Sequence, residues 1–317
     1  MKTRFFCLLL LCALLFCNCA SRESRNIKVS DYLFQVDYSE KVCSGDLVYF
    51  TLAFPRRKKD YKLPSKVSAR LIRKSTGKCA GETLANVVRQ NPPLLFGAIP
   101  LSTWLDKGDF NLEIHYFDYN SNELSFNVPV TVEQKDFISE DLYLNAKNTA
   151  IKSNHTPERV AQIDRLNEIL YTKNPNSIFS AGLFSRPVES TRCTAFFGDR
   201  RNYIYNNGKK EVSEHYGIDY GVPTGTHVHA CGDGKVVLAE NRISTGWSVV
   251  IEHLPGLYSL YYHMDSIAVK EGDMLKKGSF IGYSGCTGLA TGPHLHWEIR
   301  CNGVAVNPEY FMKHKFF

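Results

Sequence analysis

Apolar and polar positions alternate in short runs from Ile27 to about Glu133. Leu47-Val48-Tyr49-Phe50-Thr51-Leu52, Val67-Ser68-Ala69-Arg70-Leu71-Ile72 and Phe110-Asn111-Leu112-Glu113-Ile114-His115-Tyr116 read as strands, and Val128-Pro129-Val130-Thr131-Val132 closes the set. Asn91-Pro92-Pro93 and Lys107-Gly108-Asp109 mark turns between them. Regular short strands predict a small β-sandwich module, immunoglobulin-like, over 27–135. Its only candidate for chemistry is His115, which alternates with Ile114 and Tyr116 and reads as a structural strand histidine.

The period then changes. Val160, Ile163, Leu166 and Leu170 recur at helical spacing and predict one apolar face. Thr156 suits the cap, Pro157 the first helical position and Glu158 the positive end of the dipole, while Asn174-Pro175-Asn176 ends the element. Residues 136–179 are therefore expected to be a helical linker, bracing two modules or packed on one of them. After Ser180 short strands return, in Gly234–Ala239, Trp247–Glu252, Tyr258–His263, Ser279–Tyr283 and His294–Ile299. Nothing in this part has the length of a long helix. The expected fold class is all-β, with a second, antiparallel module over 180–317.

The first nineteen residues stand apart. Lys2 and Arg4 precede the apolar run Phe5–Cys17, 13 residues long. A membrane span takes about 20 residues, so the run predicts an export signal. A cysteine directly after it predicts lipoprotein processing at Cys19, with Cys17, after Leu14-Leu15-Phe16, as a competing site. The chain is thus expected to be extracytoplasmic, in the periplasm or cell envelope, and to meet the membrane through an N-terminal lipid anchor.

With 317 residues, 44% hydrophobic and 22% charged, the composition is globular and excludes a disordered, collagen-like or coiled-coil chain. Of the net charge of +6, Lys2 and Arg4 carry two, leaving +4 after export. From Ser180 onward 14 Lys/Arg face 13 Asp/Glu, so no basic stripe argues for nucleic acid. The excess lies in the first half, notably Arg56-Arg57-Lys58-Lys59, which reads as a solvated loop. Four of the ten cysteines fall in the leader; Cys43, Cys79, Cys193, Cys231, Cys286 and Cys301 remain. An even number in an oxidising compartment predicts disulfides. Pairing within modules would join Cys43 to Cys79 and leave three options for the other four. A bridge between Cys286 and Cys301, which bracket the last strand, would brace it. No spacing is a CxxC, which argues against a thiolate zinc site.

The chemistry concentrates in the histidines of the second module. His215-Tyr216-Gly217-Ile218-Asp219 sets an imidazole and a carboxylate four residues apart, and His294-Leu295-His296 places two rings on one sheet face about 7 Å apart. His263 ends the aromatic strand Tyr261-Tyr262-His263-Met264. Two histidines and a carboxylate make the three-ligand, one-open-position set of a catalytic zinc. No HExxH supplies a glutamate base, so the remaining histidines must move the protons. His227-Val228-His229 is also an HxH, but it precedes the glycine turn Gly232-Asp233-Gly234 and is read as structural.

Taken together and in order, these motifs resemble the M23 family of zinc metallopeptidases, the lysostaphin and LytM-like peptidoglycan endopeptidases. Phe197-Gly198-Asp199-Arg200 is similar to FGxR, His215–Asp219 to HxGxD, and Pro223-Thr224-Gly225-Thr226 to PxGT. Ala230-Cys231-Gly232-Asp233-Gly234-Lys235-Val236 is similar to AxxDGxV, Tyr261–Met264 to YxHM, and Thr287–Glu298 to TGxxTGPHLHxE. The resemblance implies one catalytic Zn2+ bound by His215, Asp219 and His296, with His263 and His294 as catalytic residues flanking the water and the tetrahedral intermediate. Which of the two is base and which acid stays open. It implies an exported zinc metalloendopeptidase, a hydrolase of peptide bonds in peptidoglycan cross-links or stem peptides, either D-Ala-linked or oligoglycine. The alternative is a catalytically inactive M23-like module that binds the wall or activates an amidase; such modules lose ligand residues, and all five positions are present here.

Overall fold

The computed structural model describes residues 20–29, 32–54, 64–118, 120–180 and 182–316. The leader with Cys17 and Cys19, and the basic run Arg56–Lys59, lie outside the described residues. No described helix is long and apolar enough to cross a membrane.

The first half is a nine-stranded sheet. Its order runs Cys79–Leu84, Ser65–Arg73, Gly108–Phe117, Glu123–Glu133, Tyr32–Cys43, Leu47–Ala53, Pro93–Pro100 and Asn86–Gln90, with Ser21–Val29 paired to Tyr32–Cys43. All pairs are antiparallel except Lys41–Cys43 with Thr131–Glu133. The sheet curls until its edge strand Cys79–Leu84 reaches Pro93–Pro100. Alternation sets what goes inside: Phe110, Leu112, Ile114 and Tyr116 are fully buried, while Asn111, Glu113 and His115 between them are half-buried. His115 sits between the carboxylates of Glu113 and Glu123, as expected of a structural residue.

Leu47–Ala53 explains how this sheet meets the rest of the chain. It is a nearly unbroken apolar run because both of its faces are covered. Val48, Phe50 and Leu52 point into the first core. Leu47 and Tyr49 point the other way and join a second core with Phe96, Leu257, Trp297, Tyr310 and Phe316. The Phe316 ring packs 5.2 Å from both Tyr49 and Phe96.

The bridge contains a strand that the hydrophobic pattern does not reveal. Ser139–Tyr143 pairs in parallel with Arg200–Ile204, which pairs antiparallel with Lys210–Glu214, so the expected helical linker contributes to a three-stranded sheet. The helix Pro157–Tyr171 follows the shorter helix Ala146–Lys152. Its start is as expected, with Thr156 Oγ1 accepting from Arg159 N at 3.4 Å. Its apolar face is corrected. Leu166, Ile169 and Leu170 pack on Leu238, Val250, Tyr258 and Leu260, but Val160 and Ile163 are 47% and 37% exposed. The first turns are held instead by polar contacts: Arg159 Nε donates to Ser244 Oγ, and Ile243 N to Gln162 Oε1, both at 2.9 Å.

The second half is a ten-stranded sheet. Its main order is Cys193–Ala195, Gly217–Tyr220, Leu295–Cys301, Leu257–Ile267, Gly246–Leu254, Gly234–Arg242 and Met274–Leu275, all antiparallel. His227–His229 and Phe280–Ser284 pair beside it, and Val304–Val306 joins Leu295–Cys301. One short helix, Pro308–Lys313, follows.

The expected disulfides are not formed here: all six described cysteines are free. Three strands separate Tyr32–Cys43 from Cys79–Leu84 in the sheet order. Cys43 is buried, whereas Cys79 is exposed on the edge strand. Gly285 pairs with His294, so Cys286 lies at the start of the last long strand. Cys301 ends that strand, seven residues and about 23 Å away.

Candidate metal centre

Two adjacent strands bring the candidate ligands together. In the ladder between Gly217–Tyr220 and Leu295–Cys301, Asp219 stands directly opposite His296. His215 leads into the first of these strands, and its backbone is pinned to the preceding loop by Gly198 N to His215 O and His215 N to Asp199 O, each 2.8 Å. The glycine between the two motif residues is sterically required. A Cβ on Gly217 would lie 2.4 Å from Trp297 O and 2.8 Å from His296 Nε2.

The donor atoms converge. His215 Nε2 lies 3.1 Å from Asp219 Oδ1 and 3.1 Å from His296 Nδ1, and His296 Nδ1 lies 2.9 Å from Asp219 Oδ1. All three residues are buried, and they form a group able to hold a metal ion. Zinc ligands at about 2.0–2.1 Å in a tetrahedron stand about 3.3 Å apart, which the triangle nearly matches.

The outer atoms fix which nitrogens face inward. His215 Nδ1–H donates to Phe196 O at 2.8 Å, and His296 Nε2–H to Glu298 Oε2 at 3.3 Å. His215 Nε2, His296 Nδ1 and Asp219 Oδ1 therefore point their lone pairs at one centre, and lone pairs this close need positive charge between them. The titration pattern reports the same field. Burial disfavours charge on His296, but hydrogen bonds to Asp219 and Glu298 win and push it up to about 9. Burial likewise opposes ionisation of Asp219, yet the His215 and His296 rings hold its carboxyl well below the usual range. Burial keeps His215 below the ordinary histidine value. A proton on His296 fills the centre only in part; a divalent cation satisfies all three donors. The residues present thus fit zinc.

His263 and His294 flank this set. Their rings are 4.8 Å apart, and His294 Nε2 is 3.8 Å from Asp219 Oδ1. Each is tied back through Nδ1 at 2.8 Å, His263 to Thr287 O and His294 to Gly292 O, which leaves both Nε2 atoms as proton acceptors. His263 has φ +60°, a left-handed conformation uncommon outside glycine and a mark of functional sites. Burial pushes its ring down to about 3, with His294 and His296 adding to the effect. Asp219, His263 and His294 line a cleft of about 260 Å³. Its walls are Leu289–Pro293 on one side and Glu140, Leu142, Arg201 and Tyr203 on the other.

All five expected residues lie together, with Asp219, His263 and His294 lining the cleft and His215 and His296 in contact with Asp219. His227 and His229 lie elsewhere, packed against Phe280 and Tyr283. Motif reading included Glu298 as the last residue of TGxxTGPHLHxE but gave it no role, although it stands two residues beyond His296 on the same face of the strand. It also missed Arg201, whose Nη2 donates to Asp219 Oδ2 at 2.5 Å. The motif draws attention to Arg200, but successive strand residues face opposite ways. Arg200 stacks 3.6 Å over Trp104 of the first half, while Arg201 turns to the cleft.

An antiparallel sheet carrying a two-histidine, one-carboxylate group beside an open cleft has the donor set of a candidate metal centre. Residues 213–308 match the model of peptidase family M23. It is 36% identical over 178 residues to the peptidoglycan DD-endopeptidase ShyA of Vibrio cholerae, covering 56% of this chain and 40% of that protein. To the DD-carboxypeptidase/endopeptidase Mpg of Neisseria meningitidis it is 39% identical over 127 residues, 40% of this chain and 28% of Mpg. The chain thus spans less than half the length of these relatives. A solved Pseudomonas aeruginosa structure assigned to peptidase M23 shares the fold, with a TM-score of 0.54 at 20% identity, over 85% of this chain and 94% of that one.

Proposed function

We propose that this chain is an exported zinc metalloendopeptidase that hydrolyses peptide bonds in peptidoglycan cross-links or stem peptides. In this reading His215, Asp219 and His296 hold the zinc, and His263 and His294 are the catalytic residues. The single observation that carries it is the convergence of three inward-facing donors within 3.1 Å, beside two histidines each tied back through Nδ1. The names of the M23 relatives support the substrate class.

When bound, zinc supplies Lewis acidity, making a water acidic near neutral pH and polarising the scissile carbonyl. The chain's own groups do the rest. Glu298 and Phe196 O orient the two ligand rings. The Nε2 atoms of His263 and His294 divide two tasks, accepting the proton of the attacking water and returning it to the departing amine. The cleft admits an extended peptide between the Leu289–Pro293 loop and the three-stranded sheet.

The reading extends to the whole chain. Residues 1–19 are a leader, lipidated at Cys19, that places the enzyme at the membrane outside the cytoplasm. Residues 27–135 form an immunoglobulin-like sandwich module, 136–179 the bridge and 180–317 the peptidase. The curled sheet around a single core supports the sandwich assignment.

Digestion of purified peptidoglycan by zinc-loaded protein, with products identified by mass spectrometry, tests the proposal. Muropeptides carrying a newly freed amine are expected. Intact sacculi after prolonged incubation with the metal-loaded protein would overturn it in favour of an inactive module.

A further inference from the structure

The side chain nearest the donor set that is neither a ligand nor a proton carrier is Arg201. Asp219 has two oxygens in different situations. Oδ1 faces His215 and His296, and Oδ2 takes Arg201 Nη2 at 2.5 Å. The arginine is set by its strand. It lies in Arg200–Ile204, the central strand of the three-stranded sheet. Across the parallel ladder its register partner is Glu140, with Oε1 3.6 Å from Arg201 Nε. Its side chain is 16% exposed, so solvent screens the Asp219 pair little.

A carboxylate can bind a metal through one oxygen or through both. If Oδ2 were unpaired in this buried position it would carry unshared charge, and the nearest positive partner would be the ion itself. Both oxygens would then turn to the metal and fill the position that catalysis needs open. We infer that Arg201 is a positioning residue of the metal centre: by occupying Asp219 Oδ2 it leaves Oδ1 as the single ligand oxygen and preserves the open position. This rests on the reading of His215, Asp219 and His296 as the zinc ligands. It also gives the bridge a part in the centre, because Glu140 in the strand Ser139–Tyr143 backs the arginine that holds the ligand.

The test compares full-length wild type, Arg201→Lys and Arg201→Ala. Zinc affinity is measured by competition with a chromophoric chelator, and coordination by the visible absorption of the Co2+-loaded proteins. Arg201→Ala should bind zinc more tightly than wild type, because a second carboxylate oxygen joins the ion and a neighbouring positive charge is gone. Its Co2+ bands should weaken as the coordination number rises. Arg201→Lys keeps a charge on Oδ2 and should restore most of the wild-type affinity and Co2+ spectrum. If Arg201→Ala does not fold, Arg201→Gln replaces it in the same comparison. Wild-type zinc affinity and a wild-type Co2+ spectrum in the uncharged variant would overturn the inference alone. Failure of the wild-type protein to bind either metal would overturn the zinc reading beneath it.

Discussion

Glu298 and His296 stand two residues apart on one strand, and the carboxylate accepts from the outward ring nitrogen at 3.3 Å. That bond fixes the tautomer, turning Nδ1 toward Asp219 and His215, and it makes the ring a better donor. Glu298 is itself buried and anchored by Arg300. Glu298→Gln keeps the shape and removes the charge. Zinc affinity should fall about 10–100-fold, as measured by chelator competition, whereas an unchanged affinity would mean that the ring is oriented by packing on Tyr262 alone.

Ligands and proton carriers should separate by metal content. His215→Ala, Asp219→Ala and His296→Ala each remove one of three protein donors and should lose both metal and activity. His263→Ala and His294→Ala should keep close to one zinc per chain, with hydrolysis down about 10²–10⁴-fold. Metal analysis of dialysed protein beside a wall-turbidity assay reads both halves. Zinc lost from His294→Ala but kept by His296→Ala would invert the assignment within the HxH.

The shared core should make the two halves unfold together. Phe316 is buried against Tyr49 and Phe96 across the junction. Phe316→Ala should cost about 3–5 kcal/mol, seen by calorimetry as a lowered single transition. A second transition, with the first-half sheet melting at its wild-type temperature, would show that the junction does not couple them.

Acid should destabilise the fold through His253. Burial keeps its ring neutral and pushes it down to about 4, with Nδ1 bonded to Asp233 O at 2.7 Å and Nε2 to Ser259 Oγ at 2.7 Å. Below pH 6.5 the unfolded chain binds a proton here that the folded chain refuses. The stability is therefore complete above about pH 6.5 and declines as pH falls toward 4, by up to about 3 kcal/mol. Urea titrations at pH 7 and 4.5 should show a smaller pH dependence for His253→Gln than for wild type. Equal slopes would remove His253 as the cause.

The thiols should differ in reactivity. Cys79 is exposed on an edge strand, whereas Cys43, Cys231 and Cys301 are buried; burial pushes Cys43 and Cys301 up to about 12. Alkylation of native protein should label Cys79 first and the buried three only after denaturation. Rapid labelling of Cys301 in folded protein would contradict its packing.

The centre is legible in part because Asp219, His263 and His296 sit on strands, where side chains alternate, so that His294-Leu295-His296 presents two rings to one face. What joins Asp219 to His296 is a ladder between strands 77 residues apart, and only the ordered motif set pointed to it. Arg201 was hidden by its neighbour, since alternation determines that one of Arg200 and Arg201 faces the cleft but not which. Ser139–Tyr143 was unreadable because its partner is 61 residues downstream and its own pattern is mostly polar. The cysteines misled because a count implies pairs only when geometry brings them within reach. Val160 and Ile163 fit the helical period, yet the sheet beneath the helix reaches only its later turns.

The pairing of Asp219 with His296 also sets a schedule. During synthesis the first-half sheet emerges early and can form its own core. The His215–Asp219 pair follows as an unfinished half-site, and the third donor, His296, comes 77 residues after Asp219. Phe316, which seals the junction against Tyr49, comes later still. A chain still being made therefore has no complete metal centre until His296 has been added and its strand has paired with Gly217–Tyr220.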